Sequence, residues 1–167
     1  MVYLYKCAFC NVEMFSDAFP TSEMFDGQVF AVKSATVEKK ALKFDIGDCD
    51  DVDDQDEQVN DIIDGFKFNP MKLTKAQFGV MAKGYLKRIS DRIKALYPGD
   101  EDRVKTFQKT AVEVVKFINA QFDDFEFYMN ELNDPEGGFT FAYWQDSAKD
   151  KGPTFLFFKD ALEKEKI

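Results

Sequence analysis

The sequence predicts an α+β fold in which a long helical hairpin is inserted between strands drawn from both ends of the chain. Three observations carry that expectation. Short runs rich in β-branched and aromatic residues fill the first and last thirds. The middle third instead repeats apolar residues every three or four positions. Neither outer third has enough strands to cover its own apolar face, so the two should share one sheet system. With 167 residues, 45% of them apolar and nineteen of them phenylalanine, the chain can bury a substantial core as a single domain over 1–167.

The first strands are read at Val2-Tyr3-Leu4-Tyr5 and at Gln28 to Lys33, separated by the turn signals of Pro20 and Gly27. Next comes an acidic stretch. Asp45 to Asp64 holds ten carboxylates and no lysine or arginine, and residues 45–60 read as a solvated, mobile loop. That loop lacks the alternating acid spacing with a closing glutamate that a dedicated calcium loop requires. Ile62 to Phe68 reads as a strand, stopped by Asn69-Pro70.

The period then changes. Phe78, Met81, Tyr85, Ile89, Ile93 and Leu96 form one stripe, with a capping box at Thr74 and Gln77 and a stop at Pro98-Gly99. Val104, Phe107, Ala111, Val114, Ile118 and Phe122 continue the pattern behind the acidic start Asp100-Glu101-Asp102. Two helices joined so closely must fold back on each other, giving a hairpin over 74–121. Strands return at Phe125 to Met129, Phe139 to Trp144 and Thr154 to Lys159.

Charge and missing chemistry narrow the function. Lys72 to Lys116 carries eleven basic residues against five acidic ones, and Lys83, Lys87, Arg88, Arg92 and Lys94 are read as a basic docking face for an acidic partner. The net charge of −9 argues against nucleic acid as a partner overall. No apolar run approaches the roughly 18 residues needed to span a bilayer. Three cysteines imply no disulfide framework, and the N-terminus lacks a signal peptide, so a cytoplasmic protein is expected. The absence of histidine removes the commonest general base, the Ser-His and Cys-His pairs and His-ligated zinc. A non-enzyme is therefore expected. The alternative is a methionine sulfoxide reductase-like or zinc/redox protein using Cys7, Cys10 and Cys49, although Cys49 lies among carboxylates that disfavour its thiolate. Asp123, Asp124 and Glu126 form a second acidic cluster, which could hold a hard cation weakly.

Several segments stand in one recognisable order: Glu13-Met14-Phe15-Ser16-Asp17, Leu73-Thr74-Lys75, Asp102 to Phe107, Phe122 to Glu131, and Phe157 to Lys166. In that order, with a basic hairpin and an acidic mid-chain segment, the chain resembles the translationally controlled tumour protein family over essentially its full length. The resemblance implies a twisted, tent-like β-sheet domain with a protruding helical hairpin. That fold is similar to a small zinc-binding chaperone of Rab GTPases and to R-specific methionine sulfoxide reductases. It also implies a regulator acting in growth control and in anti-apoptotic and stress protection. Its implied partners are Rheb-like small GTPases, tubulin and microtubules, the elongation-factor machinery and Bcl-family proteins. No cofactor is required, with Ca²⁺ as a possible ligand near Asp123, Asp124 and Glu126. Glu13 matches the family glutamate implicated in GTPase contact, and Glu131 could line the same cleft. The chain departs from the family pattern at Asn130, where glycine is usual, and in the lack of Ser or Thr over 45–60. It ends in Ile167 where many animal members end in cysteine, so a monomer is expected.

Overall fold

A computed structural model describes residues 3–39, 57–134, 137–146 and 148–166. The elements run β1 (Tyr3–Cys7), β2 (Glu13–Ser16), β3 (Thr21–Met24), β4 (Val29–Lys33), β5 (Thr36–Lys39), β6 (Glu57–Asn60), α1 (Asp61–Phe66) and β7 (Asn69–Met71). There follow α2 (Lys75–Leu96), α3 (Glu101–Ala120), a 3-10 turn at Phe122–Asp124, β8 (Phe125–Met129), β9 (Phe139–Tyr143), β10 (Thr154–Phe158), a second 3-10 turn at Lys159–Ala161, and β11 (Leu162–Lys166). They build a six-stranded sheet of order β3-β4-β10-β9-β8-β7, a three-stranded sheet of order β11-β1-β2, and the ribbon β5-β6. The expected α+β class with an inserted hairpin is what the chain adopts.

The two outer thirds do share their sheets, and every one of these strand pairs is antiparallel. β1 pairs with β11, Tyr3 opposite Lys166, and β4 pairs with β10, Val29 opposite Phe158. The six-stranded sheet is buried on both faces, which explains why its strands read as continuous apolar runs. Alternation sorts them. Val29, Ala31, Phe125, Phe127, Phe139, Phe141, Leu156 and Phe158 face the helices. Phe30, Val32, Tyr128, Ala142, Phe155 and Phe157 face the other way, toward Cys7, Met14, Phe15, Ile62 and Phe68.

The hairpin starts as expected, with Gln77 N–H donating to Thr74 Oγ1 (3.1 Å) and Thr74 N–H to Gln77 Oε1 (2.9 Å). Its buried stripe is rotated slightly from the expected one. Ala82 and Ser90 are buried, Met81 is half-buried, and Leu96 is 52% exposed. Phe122 lies in the 3-10 turn and not on α3. Nor does the hairpin project freely: Arg92 Nη1 donates to the Asp160 carbonyl and Arg103 Nη2 to the Asp160 carboxylate, both at 2.9 Å. Those bonds clasp its far end to the turn between β10 and β11.

Three expectations fail locally. Residues 61–66 are helical and not a strand, because Asn60 Oδ1 accepts both the Ile62 and Ile63 N–H groups at 3.1 Å. Lys67, left-handed at φ 56°, closes that helix. Asn69-Pro70 does not end a strand but opens β7, where proline is tolerated because β7 is an edge. The acidic loop expected over 45–60 is also shorter than read: 57–60 form β6, paired with β5. Its remaining residues, and Cys49, lie outside the described residues.

Candidate functional site

The β1–β2 turn is built by backbone bonds. Cys7 N–H reaches the Val12 carbonyl (2.8 Å), and Asn11 N–H reaches the Cys7 carbonyl (2.9 Å) with Asn11 in the left-handed region at φ 59°. Glu13 then opens β2. It is a strand residue, not part of a loop, and its side chain is exposed while Val12, Met14 and Phe15 around it are buried. Lys6 stands opposite Glu13, but its ammonium pairs with Glu165. The hydrogen bond that Lys6 donates to Glu165 is the main reason its pKa is raised, with the charges of Glu165, Glu13 and Glu163 adding to it. Glu13 is therefore presented outward from a strand whose neighbours anchor it.

A second loop closes over this turn. Asn130 is fully buried: its Nδ2 donates to the carbonyls of Asp134 (3.1 Å) and Gly138 (2.9 Å), and its Oδ1 accepts the N–H groups of Leu132 (3.0 Å) and Asp134 (3.2 Å). The departure from glycine thus supplies the hub of the loop. Gly138 N–H donates to Cys7 Sγ at 3.1 Å, joining the Glu131-bearing loop to the turn that precedes Glu13. Glu131 itself is exposed and pairs with Lys67 at 3.7 Å. Glu13 on its strand and Glu131 on its loop are thus tied together through the β1–β2 turn, each facing a different lysine. Sequence reading singled out the glutamates, whereas the framing roles of Asn130, Gly137 and Gly138 depend on how the loop docks.

The basic face divides. Lys83, Lys87 and Lys94 are exposed, and with Lys116 they rim a groove of about 700 Å³ between α2 and α3, floored by Leu86, Ala111 and Val115 among others. Arg88 is half-buried, its guanidinium 5.8 Å from the centre of the Tyr85 ring. Arg92 is turned toward Asp160 and lies 3.6 Å from Glu163. It belongs to the clasp more than to an outward face.

The acidic trio spans two elements. Asp123 and Asp124 sit in the 3-10 turn, exposed, while Glu126 on β8 accepts the Tyr128 hydroxyl at 2.6 Å. Burial, then this bond, raises the Tyr128 pKa. Among the described residues, no group of three or more Cys, Asp or Glu side chains is placed to hold a metal ion. Cys7 is buried, and burial is the main cause that pushes its thiol up, so a stabilised thiolate nucleophile is disfavoured there.

A family model described as translationally controlled tumour protein matches residues 2–163. The chain belongs to that family. It is 31% identical to the translationally-controlled tumor protein homologue of Theileria parva over 175 residues, covering 98% of each chain. The homologue from Plasmodium berghei is likewise 31% identical, and that of Candida glabrata 29%. Among solved structures, the translationally controlled tumor-associated protein of Schizosaccharomyces pombe superposes with a TM-score of 0.81 at 29% identity, covering 99% of both chains. The Caenorhabditis elegans protein, at 23% identity and a TM-score of 0.73, shares the fold. The translationally controlled tumour proteins are not a known family of enzymes. Among the described residues, no helix is long and apolar enough to cross a membrane.

Proposed function

We propose that this chain is a cytoplasmic regulator that works by binding other proteins, and that the strand edge carrying Glu13 contacts a small GTPase of the Rheb type. The observation that carries the reading is the mounting of Glu13. It is an exposed carboxylate whose neighbours Met14 and Phe15 are fully buried, beside a turn clamped by the Asn130 loop. A carboxylate held this way keeps its position on binding and pairs with basic switch residues, or competes for the GTPase's Mg²⁺, at little ordering cost. Growth control and protection from apoptosis or stress are the processes that accompany such a role in the family reading. Elongation-factor and Bcl-family partners, and calcium responsiveness, belong to the same reading. The test is calorimetry of Glu13→Val against the GDP-loaded GTPase. Losing a charge-assisted interface contact costs about 2 kcal/mol, roughly a thirtyfold weaker affinity. Binding as tight as that of the parent would refute the assignment.

A second contact surface is favoured by the lysine-rimmed groove of the hairpin. Its charge and open apolar floor suit an acidic tubulin tail, and such attraction is screened by salt.

A further inference from the structure

The protein-binding role uses neither thiol of the β1–β2 turn, yet the fold surrounds both with specific contacts. Cys7 is buried at 1% exposure, and Cys10, three residues on, is half-buried and within reach of small solutes. Burial first, and then the neighbouring Cys10 thiol, raise the Cys7 pKa. The Cys7 sulfur also accepts N–H groups from Phe9 (3.4 Å) and Gly138 (3.1 Å). The opposing loop lies directly against both sulfurs. A Cβ placed on Gly137 would stand 2.7 Å from Cys10 Sγ, and one on Gly138 would stand 3.1 Å from Cys7 Sγ. Glycine at both positions is what permits that approach.

We infer that Cys7 and Cys10 form a reversible intrachain disulfide and so constitute a two-electron modification site for peroxides. The Cys10 thiol gives up its proton and its sulfur attacks one peroxide oxygen. The O–O bond breaks, leaving a sulfenic acid on Cys10, and the departing hydroxide takes the released proton to become water. The Cys7 sulfur then attacks Cys10 Sγ. The S–S bond forms as the S–O bond breaks, and the second hydroxide leaves with the Cys7 proton as water. Two thiols are oxidised by two electrons and one peroxide is reduced to two waters. The Phe9 and Gly138 N–H groups face the charge that develops on Cys7 sulfur as its proton departs. Burial raises the Cys7 pKa, which leaves the more exposed Cys10 thiol as the first to react. Glutathione reverses the bond in two steps: one molecule attacks Cys10, the more accessible sulfur, forming a mixed disulfide and freeing Cys7, and a second releases Cys10 and departs as glutathione disulfide.

The test uses the full chain, treated with equimolar hydrogen peroxide, alkylated and cut with trypsin. Cleavage after Lys6 and Lys33 leaves Cys7 and Cys10 on one peptide and Cys49 on another. The expected product is the 7–33 peptide lighter by two hydrogens and closed to alkylation, restored by dithiothreitol, with Cys49 still alkylated. Cys49→Ser should form it to within about twofold of the parent, and Cys10→Ser should abolish it. In Cys7→Ser, Cys10 lacks its resolving partner and should stop at sulfenic acid, advancing to sulfinic acid with a second equivalent of peroxide. A Cys10–Cys49 bond, an interchain dimer, or alkylation of both Cys7 and Cys10 after peroxide would each overturn the inference, and the parent chain alone decides among them.

Discussion

The two faces of the six-stranded sheet are closed in opposite ways. One is covered by a single contiguous segment, the hairpin, whose Phe78, Tyr85 and Phe107 meet Phe127, Phe139 and Phe158. The other is covered by short pieces from distant parts of the chain: β1 and β2, α1, and Phe68. There Phe15 is the keystone, stacked between Tyr5 and Phe157 at 4.6 Å from each. Local helices can hold the first face with much redundancy. The second depends on few side chains, and it carries Glu13 and the thiol pair. In this molecule Glu13 and the thiol pair lie over the less redundant face.

That contrast can be broken by truncating each keystone. Phe15→Ala and Phe107→Ala should each lose about 4 kcal/mol in urea unfolding, since both side chains are fully buried. Only Phe15→Ala should also weaken GTPase binding, because only it lies under Glu13. Equal binding losses for both would show that the faces are not separable.

Alkaline pH comes next in size and tests both faces together. Burial is the leading cause raising the pKa of Cys7, of Tyr85 under the hairpin, and of Tyr128 on the opposite face. Their folded forms hold protons that the unfolded chain releases above its own values of about 9 to 10. Stability should therefore be full below about pH 9 and fall as the pH rises beyond it. Each group contributes a slope of about 1.4 kcal/mol per pH unit until its folded form also ionises. Tyr85→Phe should flatten that decline; an unchanged slope between about pH 9 and 11 would contradict the assignment.

The hairpin clasp should matter less. Asp160→Ala removes an acceptor shared with Arg103 and should cost about 1–2 kcal/mol, with faster amide exchange near the hairpin's far end. The smallest effect on stability is expected from Lys83, Lys87, Lys94 and Lys116 together changed to Ser, within about 0.5 kcal/mol per site. The same variant should lose the salt-dependent part of binding to an acidic tubulin-tail peptide between about 50 and 300 mM salt. Affinity that does not respond to salt in the parent would remove the hairpin from consideration.

The hairpin face was legible in the sequence because helical periodicity, the Thr74–Gln77 box and Pro98-Gly99 all agree over the whole hairpin. The opposite face was not. β2 and β3 are four residues each, and Ile62-Ile63 looks like strand until the Asn60 side chain is seen capping it. Glu13 and Glu131 were singled out through the order of motifs; their placement against Lys6 and Lys67 depends on strand register and loop docking. Asn130 and the two glycines were hidden for the same reason. The thiols that Gly137 and Gly138 approach, Cys10 and Cys7, lie near the opposite end of the chain.

The pairing of β1 with β11, and of β4 with β10, has a consequence for the order in which the molecule assembles. On a growing chain, β1 is made first but meets β11 only when residues 162–166 are complete. β4 likewise waits for residues 154–158. Helices α2 and α3, whose contacts are local, can meet long before that. Until the final segment emerges, the aromatic side chains of β1, β2 and β4 have no completed sheet to join. Apolar surface exposed in this way favours aggregation. A chain stopped before residue 154 would leave the six-stranded sheet open between β4 and β9 and strip β1 of one of its two neighbours.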